Sequence, residues 1–427
     1  MHIVISHHSL SGYGGTETYA LTIGSELQHL GHRVLLYSAT PTGPAAETAR
    51  ERGLAVTANC AELPSSCDAL IAQDAGTAMS LAARFPDATR LYVAHSDFYP
   101  LQVPPQVEGF CDAIVVMSDR VKAFIEALAY HSQIVRLRQP VDLKRFGVFP
   151  PRAADGCRRA LLLGNYLRGR EADVVAAACR AAGFELSTVG AHTQSTRAPE
   201  REIAGVDVVI GYGRCVVEAL AGRRAAYVYG LNGGDGWVTP DTYDALEADG
   251  FGGRGLKVTV SPDRLASDLA QWDSGMGEVN RRLAAQHHDA IQHATSLTAL
   301  IKSLGRPRRA ALTSAEELAR LVRIEWESWG RYLGALEELR RLSGEIERQR
   351  AEIAELKTVA HSAVTKSTAE VERLRFEITR LEAERAALRA SLSEIRNSRS
   401  WRVTRPLRRL RRRLKALQPP ARNGSIS

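Results

Sequence analysis

Residues 210–221 read IGYGRCVVEALA, and their types and spacing suit an anion beside a set of hydroxyls. Gly211 and Gly213 punctuate a turn between an apolar stretch (DVVI, 207–210) and a helical one. Bare glycine lets backbone N–H groups approach a phosphate, and the start of a helix adds partial positive charge. Arg214 stands just inside that helix, and Glu218 lies one turn further on, where a carboxylate can accept hydrogen bonds from ribose hydroxyls. A second glycine-rich turn, Gly12-Tyr13-Gly14-Gly15-Thr16-Glu17, follows the first apolar run. A third segment, LLLGNYLRGRE (161–171), carries Arg168 and Arg170, whose guanidinium forks match phosphate oxygens. His95 ends the apolar run RLYVAHS, and its imidazole can donate to a sugar hydroxyl or to developing charge. Asp97, two residues on, is a candidate base, and His7 and His8 end another run facing the same way.

Positioning these residues takes strands that stop abruptly and helices that start at once. HIVIS (2–6), RVLLYS (33–38), DALIAQD (68–74), RLYVAHS (90–96), DAIVVMS (112–118) and QIVRLRQ (133–139) read as buried strands, mostly separated by helical segments. A second series follows the Pro-containing stretch 146–156: ALLLG (160–164), ELSTVG (185–190), DVVIG (207–211), AAYVYG (225–230) and LKVTVS (256–261). Its helices are expected at 170–182, 214–222, 262–270 and 277–304. Alternating strands and helices imply an α/β fold of two doubly wound, Rossmann-like halves, with ligands at the carboxyl ends of the strands in the cleft between them. LNGGDGWV (231–238) reads as a further glycine-rich loop beside that cleft, with Asn232 and Asp235 as polar candidates.

The segment 210–221 resembles the nucleotide-sugar site of GT-B glycosyltransferases, whose pattern is E-G-F-G-x-P-x-x-E-A-x-A. Gly211, Tyr212, Gly213, Glu218, Ala219 and Ala221 match it, and the first Glu of the pattern falls on Ile210. Gly14 and Gly15 resemble the family's G-G-x-E loop on the N-terminal side of the cleft. His95 occupies the place of the histidine that helps hold the donor sugar or acceptor there. LLLGNYLRGRE stands where the family's G-R-x-x-x-x-K loop supplies Arg and Lys to the donor diphosphate, with Asn165 in place of the Arg. Pro140–Phe146 resembles the interdomain linker. The resemblance covers about residues 1–305 and implies sugar transfer from a nucleotide-diphosphate donor to a cell-surface glycan or lipid-linked acceptor. It implies donor binding by Gly14, Gly15, Arg168, Arg170, Gly211, Gly213, Arg214 and Glu218, with His95 and Asp97 as catalytic candidates. In such folds helix dipoles and basic residues stand in for a metal, and neither a metal nor another cofactor is expected. Two readings stay beside it: a nucleotide-sugar epimerase on the same fold, and an inactive sugar-nucleotide-binding scaffold.

Four segments are expected: Rossmann-like domains over 1–147 and 148–305, a helical coiled coil over 306–395, and a basic amphipathic tail over 396–427. The coil signature is an apolar 3-4 spacing through Leu339, Leu342, Ile346, Ile353 and Leu356, resuming at Val371, Leu374, Ile378, Leu381, Leu388, Leu392 and Ile395. As one extended helix it would reach roughly 85 Å and join copies of the chain. The net charge of +8 is local: residues 395–427 hold eleven Arg or Lys and no acid, leaving −3 on the rest. That tail, with Trp401 and an apolar face of Leu407, Leu410, Leu414 and Leu417, suits an anionic membrane surface rather than nucleic acid. Six scattered cysteines without CxxC spacing read as small buried hydrophobes in a reducing compartment. No run of 18 apolar residues and no secretory signal is read. The expected location is therefore cytoplasmic, with attachment at the inner membrane face.

Overall fold

The structure is a computed structural model that describes residues 1–147, 156–190, 193, 196–231, 233–256, 260–305, 312, 314–360 and 368–397. It forms two compact units, Met1–Ser314 and Ala315–Ser427. The first half of the larger unit runs β1 (His2–His7), α1 (Gly15–His29), β2 (Arg33–Ser38), α2 (Pro44–Glu51), β3 (Ala55–Thr57), β4 (Ala69–Ala72), α3 (Ala75–Arg84), β5 (Thr89–Ala94), β6 (Ala113–Val116), α4 (Asp119–Ala127) and β7 (Gln133–Arg136). Its strands form one parallel sheet in the order β3-β2-β1-β4-β5-β6-β7. The second half runs β8 (Arg158–Leu163), α5 (Arg170–Ala182), β9 (Phe184–Val189), α6 (Pro199–Ala204), β10 (Val208–Gly211), α7 (Arg214–Ala221), β11 (Ala225–Gly230), β12 (Gly233–Trp237), α8 (Pro240–Ala248), α9 (Pro262–Ala270), α10 (Met276–His287) and α11 (Ala290–Ser303). Its sheet order is β12-β11-β10-β8-β9.

Strand runs such as Ile3–Ile5, Leu91–Ala94 and Val208–Ile210 are buried on both faces, as a parallel sheet covered by helices requires. Separate apolar clusters fill the two faces of each sheet. The strand order reverses between β1 and β4 in one sheet and between β8 and β10 in the other. At those switch points the helices depart to opposite faces and leave a crevice. The turns Gly12–Glu17 and Gly211–Arg214 sit at the two crevices, which is the twin Rossmann-like architecture expected from the sequence.

Two expectations change, and a third falls partly outside the described residues. The segment 231–238 is not a loop throughout: Gly233–Trp237 is β12, antiparallel to β11 with a bulge at Val228/Tyr229. Residues 257–259 of the expected strand 256–261 lie outside the described residues, as does Asn232; the flanking residues are not strand. The helix expected over 277–304 breaks at His288–Asp289, where Asp289 caps α11 through Ile291 N. Past that break α11 leaves the second half: Ala294, Leu297 and Ile301 join the core beneath α1 of the first half. The chain thus crosses back onto the first half after completing the second. Burying each of those larger side chains contributes about 1.5–3 kcal/mol to holding the halves together.

The smaller unit holds α12 (Ala315–Ala360) and α13 (Thr368–Asn397). They pack on each other through Leu342, Ile346 and Leu381, and through Ile353, Val371 and Leu374. Arg350 also pairs with Glu382 between the helices at 2.8 Å. The apolar seam expected to run as one extended coil between copies is thus closed within one chain, as an antiparallel hairpin. Each half of the pattern finds a partner in the other half. The tail from 398 onward lies outside the described residues. Among the described residues no helix is long and apolar enough to cross a membrane. None of the six cysteines forms a disulfide; Cys111 and Cys179 are buried as expected, but Cys60 is exposed.

Candidate functional site

The second sheet presents two helix starts side by side. α5 follows β8 and α7 follows β10, and these strands are neighbours. Both helices are capped by a glycine in the same left-handed turn: Gly169 at φ 55°, ψ −129° and Gly213 at φ 62°, ψ −128°. Only glycine adopts this conformation without strain, and neither cap offers a side chain to the first-turn amides. A side chain added at either position would meet no atom within 4 Å, so both turns open onto free space. Gly213 donates its own N–H to the Phe251 carbonyl at 2.8 Å, which anchors the peptide just before Arg214 and Cys215.

Gly211 has a different duty from the one expected. A Cβ there would lie 2.6 Å from the Leu163 carbonyl of β8, so the close approach it permits is between strands. Ile210, at the position of the missing acid, is fully buried inside the sheet.

One turn into α7, Glu218 accepts from Arg214 Nε at 2.9 Å, and both side chains are at least nine-tenths buried. Arg214 also donates to the Pro140 carbonyl at 3.3 Å. Burial pushes the Glu218 carboxyl above its ordinary pKa, against the pull of Arg214 and Arg145. Arg214 holds one carboxylate oxygen of Glu218, leaving Oε2 with lone pairs for a hydroxyl. Arg168 is half-buried and Arg170 exposed, on the loop from β8 to α5 that flanks this edge. Arg170 opens α5, and its charge reaches Tyr229 on β11.

Across the cleft, His95 stands at the end of β5. Its Nε2 meets Gln73 Oε1 at 2.6 Å, and the Tyr19 ring packs edge-on at 5.0 Å. Burial, helped by His7, Arg214 and His293, lowers its pKa to about 3. The imidazole is therefore neutral at physiological pH and a weak base. Donating Nε2–H to Gln73 leaves Nδ1 as an acceptor. Arg214 lies close enough for its charge to be felt at His95, so the structure brings these two expected residues together.

Asp97 departs from its expected role. It is ion-paired with Arg120 and lies 3.9 Å from Arg254. Burial alone would raise its pKa, but Arg120 holds the carboxyl below the ordinary range. A carboxylate so stabilised is a poor proton acceptor; it is ion-paired within the first half to Arg120 and reached from the second by Arg254.

The Gly12–Glu17 turn also departs. Glu17 Oε2 accepts from Gly14 N at 3.2 Å and from Thr16 Oγ1 at 3.0 Å, so the helix closes its own start with a carboxylate. A Cβ at Gly14 would sit 2.8 Å from that oxygen, whereas Gly15 faces open space. Gly14 thus serves the cap, and a phosphate would meet negative charge there. His288 and His293 are buried: His288 joins Tyr243 and the Gln139 carbonyl, and His293 joins Tyr19 and the Arg138 carbonyl. Among the described residues no group of three His, Cys, Asp or Glu could hold a metal.

Sequence reasoning missed Gln73 and Arg120. Gln73 sits at a strand end one strand from His95, a position the strand-end rule could have found. Arg120 lies inside a helix, and nothing in its local sequence marks it.

No family model matches the sequence, and no curated protein matches it. Solved structures do share its chain path. A glycosyltransferase from Rickettsia africae is 14% identical, with a TM-score of 0.48, covering 71% of this chain and 98% of that one. WaaG, a glycosyltransferase involved in lipopolysaccharide biosynthesis, is 14% identical at a TM-score of 0.45, covering 70% and 99%. The glycosyltransferase VinC, solved in complex with DTDP, is 11% identical at 0.36, covering 71% and 100%. At these levels the likenesses decide nothing about activity.

Proposed function

We propose that this chain is a glycosyltransferase that moves a sugar from a nucleoside-diphosphate donor to an acceptor hydroxyl. The observation that carries the reading is the pair of uncapped, glycine-started helices at the switch point of the second sheet, with Arg214 and Glu218 beside them. Two helix N-termini and a guanidinium stabilise the charge that develops on the leaving diphosphate as the bond to the anomeric carbon breaks. The open oxygen of Glu218 takes a ribose hydroxyl. Arg168 and Arg170 are the further cations at this edge. Neutral His95 orients a sugar or acceptor hydroxyl through Nδ1, and packing the two halves together excludes water from the reacting centre. The acceptor class in this reading is a cell-surface glycan or lipid-linked saccharide. It is supported by the basic, apolar-faced sequence of 396–422, suited to the inner face of a membrane.

A second reading, donor binding without transfer, is favoured by one observation: Ile210, buried in the sheet, takes the place of an acid.

The test is thermal stabilisation by ADP, GDP, UDP and TDP, followed by turnover with the matching nucleotide sugars. A ligand that binds only the folded state raises the midpoint. One diphosphate is expected to stabilise the wild type, and Glu218→Ala is expected to abolish the shift. Absence of any shift in the wild type refutes the donor site; a shift without turnover under any acceptor selects the second reading.

A further inference from the structure

The turn that follows α8, Asp249-Gly250-Phe251-Gly252-Gly253-Arg254, belongs to the second half but is gripped by the first. Asp249 Oδ1 pairs with Arg120 Nε at 3.0 Å. Arg120 Nε also approaches the Asp249 carbonyl, at 3.4 Å. Gly250 lies against Ser118, the cap of α4, so closely that a Cβ would come within 3.1 Å of the serine Cβ. The turn is tightly wound: Gly250, Phe251 and Gly253 all have positive φ, at 71°, 56° and 83°. For a bulky residue such as Phe251 that conformation is strained and persists only where its surroundings impose it.

Asp249 Oδ2 accepts from Arg254 N at 3.0 Å and closes the turn on itself. The Phe251 ring is buried in the second half's core, and its N–H bonds the Leu246 carbonyl at 2.7 Å. With ring and N–H fixed, the Phe251 carbonyl is aimed at one place, the N–H of Gly213, which caps α7. A continuous path therefore runs from Arg120 through Asp249 and the strained Phe251 to the N–H of Gly213, the residue that caps α7.

We infer that Arg120 is a positioning residue: by holding the 249–254 turn, the first half shapes the anion-binding start of α7 in the second. The inference rests on the donor site proposed above. It makes diphosphate affinity depend on how the halves are seated, through a residue that touches no ligand. Such coupling between two sites through a two-state element is typically worth 5–150-fold in affinity.

The test measures the dissociation constant of whichever of ADP, GDP, UDP or TDP stabilises the full-length wild type. Arg120→Ala and Asp249→Asn are each expected to weaken it about fivefold to tenfold, with Arg120→Lys recovering part of the loss. The comparison variant is Arg197→Ala, which removes ion pairs to Glu47 and Glu51 across the same cleft without touching the turn. It is expected to change affinity less than twofold. Circular dichroism and the thermal midpoint identify any variant that fails to fold. Unchanged affinity in a folded Arg120→Ala, or an equal loss in Arg197→Ala, overturns the inference while leaving the donor site standing. A wild type that binds no diphosphate overturns both.

Discussion

Two glycine turns occupy equivalent places in the two halves, each between a strand at a switch point and the helix that follows it, and they are built for opposite purposes. At Gly14 the helix start is closed from within: Glu17 reaches back to the cap amide, and the glycine exists to leave room for its carboxylate. At Gly213 no side chain reaches back, the glycine is needed for its left-handed φ, and space lies beyond it. A helix start that carries its own anion has little use for another; one held open invites an anion from solution. The difference teaches that glycine content does not distinguish a phosphate cradle from an ordinary cap. What distinguishes them is whether an acid stands three residues on.

The strongest way to break this comparison is to add a methyl group at each turn. Gly213→Ala is expected to cost about 1–3 kcal/mol of stability, because alanine resists φ 62° with ψ −128°. It should also abolish stabilisation by the diphosphate. Gly15→Ala, which faces open space in helical geometry, should change both within about 0.5 kcal/mol. Denaturant titrations of the two variants with and without ligand check this; equal losses would erase the distinction drawn here.

Acid sharpens the comparison from the first half's side. His95 in the folded chain titrates near 3, well below the ordinary value near 6.5. Between those values the unfolded chain binds a proton that the native chain refuses. Stability is thus expected to fall as pH drops from about 6.5 toward 3, by up to about 1.4 kcal/mol per pH unit for this group. His95→Gln should flatten that slope relative to wild type; urea unfolding at intervals between pH 7 and 4.5 reads it directly. An unaltered slope would mean that His95 does not lie neutral against its neighbours as described.

A modest effect is expected at the carboxylate of the self-capped turn. Glu17→Ala should cost about 1 kcal/mol, the ordinary worth of a helix cap, and leave diphosphate affinity unchanged. Calorimetry on that variant checks both statements, and a large loss of affinity would move the phosphate to the first half.

Most strands and long helices were legible because parallel strands buried on both faces read as unbroken apolar runs bounded by turn residues. Gly213 and Glu218 were legible for a related reason: strand, glycine turn and helical acid fall within twelve consecutive residues, so local spacing already specifies their neighbourhood. His95 was legible as a strand end. Asp97 was misread because its partners, Arg120 and Arg254, lie far away in the chain, and a carboxylate's role depends on which cation reaches it first. The coil was half legible. Its apolar seam is real, but a 3-4 spacing states only that a helix face needs covering and does not name what covers it.

The sequence by itself determined two α/β halves, their switch points and a glycine turn at each crevice, because those follow from hydrophobic period and backbone freedom over short spans. Tertiary structure alone decided which turn stays open, that α11 crosses back beneath α1, and that α12 and α13 close their own seam. It alone also set Arg120 against Asp249 to hold the turn behind Gly213. Each of these depends on groups far apart in the chain meeting within a few ångströms, and both charge pairing and apolar burial fall away over such distances, so only the folded arrangement could settle them.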